Sequence, residues 1–298
     1  MIMTKLKRIL TGLGIVLVVL ILSYSVIRPL HLNWGTTADE VSRAMPGDLG
    51  GMRWTRAIII EATPEQIWPW LVQWGQGRGG WYSYDWLENL LGFDIHTADR
   101  ILPEHQNPQI GDPICMAANS CISFVSVIEP HQWFGWQSKD ESGKPVWTFV
   151  LGLFPVDETH TRLVVRESFD MPPVFTFLIE VPDVVMEQKA LNTVKLRAEG
   201  RPESRFATAY EIIVWLVALF VGLIAGVQFV QRKDWRIPLA IGMASVIVLL
   251  VLTFLFPPLW LRGLLVLSLL AGLVWSWRQT AEAQKAKESQ GTWNTEPA

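Results

Sequence analysis

The sequence predicts an α+β domain, with an antiparallel sheet and a long last helix, carried by four membrane-spanning helices. Three observations predict it. Four apolar runs, at 9–26, 212–230, 237–256 and 259–277, are long enough to cross a bilayer, and only Arg262 interrupts them with a charge. Between the first two runs, short segments rich in β-branched and aromatic residues follow one another across turn material. The segment 183–199 then keeps Val184, Leu191, Val194 and Ala198 on one helical stripe.

Half of the 298 residues are hydrophobic, and ten of the 16 tryptophans fall between positions 31 and 200. The chain carries a net charge of −3, but 31–205 holds 14 Lys and Arg against 23 Asp and Glu, nine charges negative. That balance argues against nucleic acid as a partner, since nucleic acid requires a basic face. No cofactor motif is present.

Residues 1–30 form the first element, a membrane anchor in which Lys5, Lys7 and Arg8 precede the apolar run. A cleaved signal peptide is the rival reading, with Ser23-Tyr24-Ser25 as a loose cleavage site. Residues 206–278 hold the other three spans, and Pro257-Pro258 divides the last two. Arg262 sits near a span end and is expected to snorkel to the interface. Basic residues cluster at Lys5/Lys7/Arg8, Arg232/Lys233/Arg236 and Arg278/Lys285/Lys287. With all three clusters inside, both termini are cytoplasmic and 31–205 is extracytoplasmic. Gly222 and Gly226 form a GxxxG pair that suits helix packing, including a homo-oligomer. Residues 279–298 read as a disordered polar tail.

Within 31–205, Thr36 or Thr37 caps a short helix that ends at Pro46-Gly47. Residues 53–61 form a strand. Thr63-Pro64-Glu65-Gln66 starts a helix with Pro at its first position, and Ile67, Trp70, Leu71 and Trp74 share one face. Strands follow at 110–116, 121–128, 133–137, 146–154 and 162–169, a meander. The last helix is capped by Asp183.

The stretch 74–92, WGQGRGGWYSYDWLENLLG, is too aromatic for an ordinary solvated loop. Gly75, Gly77, Gly79 and Gly80 permit positive φ, and their amides can form a nest for an anion beside Arg78. Ser83 is placed to cap a short helix with Asp85 in its first turn. Trp81, Tyr82, Tyr84 and Trp86 offer amphipathic rings that either line a cavity or complete the core.

The order of elements resembles the helix-grip fold of the START-like, Bet v 1-like superfamily, also described as SRPBCC or polyketide-cyclase-like. The segments that carry the resemblance are TPEQIWPWLVQWGQGRGGWYSYDWLENLLG, ADRILPEHQNPQIGD, TRLVVRE and VMEQKALNTVKLRAE, which look like a bacterial membrane-associated branch. The resemblance implies a curved sheet crossed by the last helix, with a hydrophobic or amphipathic ligand, such as a lipid, held between them. Trp70, Trp74 and Leu191 would then face the ligand, joined by Trp81, Tyr82, Tyr84 and Trp86. Arg78 and the loop of Gly77, Gly79 and Gly80 would hold the polar end.

Arg166 and Glu167 are adjacent in a strand and point to opposite faces, so one of them is directed inward. Pairs such as Arg166–Glu187 or Arg78–Glu88 would neutralise buried charge, and an unpaired one would grip a ligand. Cys115 and Cys121 flank a turn and either form a disulfide or remain two buried thiols. Asp94, His96, Asp99 and His105 cluster in sequence but match no metal signature. The leading reading is a membrane-tethered binding module. The alternatives are a cyclase- or hydrolase-type enzyme using Asp85 or Glu88 as general acid or base, and an assembly protein.

Overall fold

A computed structural model describes residues 2–201 and 204–293. It is α+β, with one six-stranded antiparallel sheet and eight α-helices among the described residues, and its contacts divide it into two compact units.

One unit comprises residues 1–28 and 204–298. It is built from most of α1 (Ile2–Leu32), with α6 (Arg205–Gln231), α7 (Arg236–Phe254) and α8 (Leu259–Trp293). These four helices are long and apolar enough to span a membrane. Val221, Ala225, Val248, Leu252, Leu269 and Leu273 pack in its core. Gly222 belongs to this packing, because a Cβ there would lie 2.7 Å from Ser245 Oγ of α7. Gly226 is open by the same test, and both glycines line an apolar cleft of about 340 Å³ shared with α1 and α7. Two expectations are corrected here. Arg262 does not snorkel: it is buried, stacked on Phe256 and 3.6 Å from Glu211, so a carboxylate neutralises it in place. The segment after Arg278 continues α8 to Trp293 because its Ala, Glu, Gln and Lys are good helix formers; 294–298 lie outside the described residues.

The other unit, residues 29–203, contains the sheet. Its strands are β1 (Met52–Ile60), β2 (Pro113–Ile114), β3 (Ser123–Glu129), β4 (Trp133–Lys139), β5 (Pro145–Pro155) and β6 (Thr161–Phe169), in the order β1-β6-β5-β4-β3-β2. The meander is as expected, except that 110–116 yields only the two-residue β2, which begins at a proline unable to donate to the ladder. The β1 edge is partly covered. On the free side of β1, Ala57 N donates to Trp34 O, Lys195 Nζ donates to Ile59 O, and Glu61 N donates to Glu199.

One sheet face packs against α3 (Pro64–Val72) and α5 (Pro173–Ala198). Gln66 closes the start of α3 by accepting from Thr63 N, as its sequence implies. Trp74, Trp136, Phe149, Ile67, Leu163 and Leu191 fill the space between. Trp136 and Phe149 stack at 4.5 Å, with Trp74 edge-on to Phe149 and Tyr82. The opposite face carries a smaller cluster of Met45, Ala57, Val150 and Val164, beneath α2 (Ala38–Ser42) and the chain after it. Thr37 caps α2 in a capping box with Glu40.

The last helix departs from expectation. It starts at Pro173 rather than at Asp183, which lies in its middle. The proline at the first turn is a favoured helix start, and a second proline, Pro182, interrupts the helix one residue before Asp183.

Candidate functional site

Between Pro172 and Pro182 every residue except Thr176 and Glu180 is apolar and exposed, whereas Thr176 and Glu180 are buried. Thr176, Glu180, Asp183 and Glu187 recur at steps of four, three and four, so they occupy one face of α5. A water-facing helix buries its apolar stripe; the first half of α5 does the reverse. Its polar stripe is held by groups from the sheet and from the end of α1.

Arg56 is the centre of that arrangement. Alternation along β1 puts Trp54, Arg56, Ile58 and Ile60 on the face toward α5, so this strand position delivers a cation into the interior. The side chain is fully buried, with Nε donating to His31 O at 3.0 Å and Nη1 donating to Asp183 Oδ2 at 2.7 Å. Nη1 also donates to Glu187 and lies 3.7 Å from Glu167 Oε1. Trp147 Nε1 donates to the other Glu167 oxygen at 2.7 Å. One turn along α5, Glu180 Oε1 lies 3.3 Å from His31 Nε2, and both are inaccessible to solvent.

Three carboxylates around one guanidinium leave an excess of negative charge, and burial turns that excess into retained protons. Burial and then the charges of Asp183 and Glu187 hold the Glu167 carboxyl well above the usual range. Burial pushes Glu187 up to about 7, against the pull of Arg56 and with help from Asp183. Glu187 and Glu167 both lie against the Arg56 guanidinium, so the charge on one bears directly on the other. Burial opposes the charge on Arg56, but Glu187, Asp183 and Glu167 outweigh it and make that charge permanent. Ligand atoms of Glu167, Asp183 and Glu187 lie within 4.8 Å of one another, the spacing of a metal site, yet the guanidinium already serves as their cation. Arg56 Nη2 is buried and makes no hydrogen bond among the described residues.

Arg166 does not join Glu187. It projects from the other face of β6, where Nη1 lies 3.1 Å from Asp48, Nε donates to Thr55 Oγ1, and Nη2 donates to Glu40 O. Those bonds fix the chain around α2 to the sheet, so the residue holds structure rather than a ligand. Glu167, on the inward face, is the one beside Glu187.

The glycine stretch is a closed turn rather than an anion nest. Gly75 and Gly80 exchange backbone hydrogen bonds of 2.9 and 3.0 Å, Arg78 N donates to Gly75 O, and Gly79 N donates to Gln73 O. A Cβ on Gly79 would lie 2.7 Å from Gln73 O, and one on Gly80 would lie 2.6 Å from Thr97 Cα, so close packing demands glycine at both. Gly77 has open space around it. Arg78 turns back, its Nη2 donating to Val72 O at the end of α3, and the charge that bears on it is that of Asp112 rather than Glu88.

Trp70, Trp74 and Tyr82 are buried core residues, and Trp81 packs on Trp136. Tyr82 receives a hydrogen bond from Gln73 Nε2, and the Arg197 guanidinium lies over the Tyr82 and Trp70 rings. Fully buried Gln73 also donates to Arg100 O and accepts from Leu102 N, a connecting role not read in the sequence. Tyr84, not Ser83, precedes α4 (Asp85–Leu90), and Lys189 of α5 lies 5.3 Å from its ring. Trp86 is exposed. Asp85 accepts from Thr97 N and Oγ1, so it ties a loop down. Glu88 is buried, and burial with the Asp85 charge pushes its carboxyl to about 7. Cys115 and Cys121 form a disulfide. Asp94 and His96 pair on the surface.

No family model matches the chain, and no curated protein matches it. Similar solved structures include a conserved protein of unknown function from Enterococcus faecalis, at 16% identity over 49% of this chain and 71% of that one, with a TM-score of 0.25. A protein from Mesorhizobium loti is 16% identical over 47% of this chain and 96% of its own, with a TM-score of 0.27. One from Mycobacterium smegmatis is 14% identical over 51% and 94%, with a TM-score of 0.30.

Proposed function

We propose that this chain is a membrane-tethered binding module. Its START-like, helix-grip domain holds an amphipathic, water-insoluble molecule between the sheet and the first half of α5. The polar end of that molecule meets Arg56, not Arg78. The observation that carries this reading is the buried Arg56 Nη2, a donor without a partner among the described residues beneath a helix whose outer surface is apolar. Nη2 calls for an acceptor oxygen, while the negative surroundings of Glu187 and Asp183 disfavour an anion. A neutral head bearing a hydroxyl, ester or amide oxygen satisfies both conditions.

The domain works on the outer side of a bacterial cytoplasmic membrane, with both termini inside. Three basic clusters on one side of four spans support that orientation, as does a disulfide, which persists in oxidising compartments. The test is native mass spectrometry and solvent extraction of the full chain purified from membranes. A stoichiometric apolar compound with a neutral oxygen head is the expected result. Folded protein that carries no such compound, and takes none up from added lipid, rejects the reading.

A further inference from the structure

The outer face of the first half of α5 points away from the Arg56 cluster, so it is not the surface that would meet the ligand head. Val174, Phe175, Leu178 and Val181 are spaced at one, four and seven residues, which places them along a single outward face. Each exposes more than a third of its surface, and Leu178 exposes 65%. Pro172, Pro173 and Pro182 are exposed as well, and no exposed charge or hydrogen-bonding side chain occurs from 172 to 182. The polar residues of the segment, Thr176 and Glu180, are turned to the interior, with Glu180 against His31.

This arrangement is costly in water and stable against an apolar phase, for the same reason that ordinary amphipathic helices turn the other way. The occupant is fixed by how the chain is connected. The domain is preceded by the helix Lys5–Leu32 and followed after a few residues by Phe206–Gln231, both long and apolar enough to span a membrane, a connection that would tether it to a bilayer. The face is apolar like the exposed sides of α6 and α8, where Leu223 and Leu267 are exposed to similar degrees. We infer that the outer face of α5 from Val174 to Val181 is seated in the lipid interface, as a membrane contact separate from the four spans. The domain thereby presents the same helix to lipid on one side and to its buried Arg56 cluster on the other. This inference does not depend on any ligand occupying the interior.

The test uses the full chain in lipid nanodiscs. Both native cysteines are bridged, so a thiol-reactive environment-sensitive fluorophore reports only on an introduced cysteine. Leu178→Cys and, as a second position, Val181→Cys carry the label, with Leu223→Cys on α6 as the lipid reference and Ile110→Cys, in an exposed loop, as the aqueous reference. Quenching by bromine-bearing lipids is expected at 178 and 181 to about the extent seen at 223. Quenching no greater than at 110 overturns the inference. So does an intermolecular 178–178 disulfide without lipid quenching, since a second copy would then cover the face. Label quenching with no extracted ligand would leave this surface standing while the binding reading fails, so the two are separable.

Discussion

Arg56 Nη1 lies 2.7 Å from Asp183 Oδ2, and that contact joins the first strand of the domain to the middle of its last helix, 127 residues away. The bond sits at Pro182, where the inverted half of α5 meets the half that packs on the core. Because Arg56 also touches Glu187 and Glu167, its charge decides whether these two buried acids are compatible with folding.

Arg56→Met should therefore destabilise the domain by about 3–5 kcal/mol, the usual cost of leaving buried charge without its partner. Adding Glu167→Gln and Glu187→Gln removes the stranded acids and should recover much of that loss. Denaturant unfolding followed by tryptophan fluorescence measures both. Equal stability of the single and triple variants would show that the cluster is not electrostatically coupled.

Stability should fall as pH rises through the range from about 4.5 to 7. Glu88 and Glu187 both titrate near 7 when folded, against an unfolded value of 4.5, so the native state holds more protons in that window. Their contribution is full below pH 4.5 and is lost as pH rises through about 7. Glu88→Gln should flatten part of the slope, as read from unfolding midpoints at pH 5 and pH 8. An unchanged slope would place Glu88 in contact with water.

Arg166→Met should loosen the chain around α2 without changing any bound ligand. Its donors hold Asp48, Thr55 and Glu40 O on the face of the sheet away from α5. Faster trypsin cleavage at Arg43 or Arg53, with unaltered extraction of small molecules, is the expected pair of results. Loss of ligand at intact α2 would restore a binding role.

Gly80→Ala and Gly77→Ala separate packing from backbone strain. Both glycines have positive φ, 80° and 72°, so each substitution meets a strain of roughly 1–2 kcal/mol. Gly80→Ala adds a clash with Thr97 Cα at 2.6 Å and should cost about 1–3 kcal/mol more, whereas nothing surrounds a Cβ at position 77. Thermal midpoints of the two variants give the difference. Arg78→Ala belongs in the same series: it removes one bond to Val72 O and should cost about 1 kcal/mol.

The spans and strands β3 to β6 are legible in the sequence because each depends on hydropathy over a local window. So is α3, whose Thr-Pro-Glu-Gln start uses only neighbouring residues. The start of α5 is not legible by the same rule, because an outward apolar face reads as buried or extended chain when a water-facing helix is assumed. The signals that reveal it are the Thr176-Glu180-Asp183-Glu187 stripe and an arginine at an inward position of β1. Their meaning is mutual: neither an interior Arg56 nor an interior Glu187 is plausible until the other is placed beside it. The aromatic stretch is correctly picked out as unusual, but its rings and glycines are explained by close packing around Trp74 and Gln73.

The covered edge of β1 and the short β2 bear on how copies of this chain can meet. The backbone of β1 is already engaged by Trp34 and Lys195, and β2 is two residues long with a proline at its head. At β1 a strand from a neighbouring molecule finds no continuous ladder to extend, which disfavours edge-to-edge aggregation there. Encounters between copies are left to side-chain surfaces and helices, where association is reversible and can be selected for or against one residue at a time.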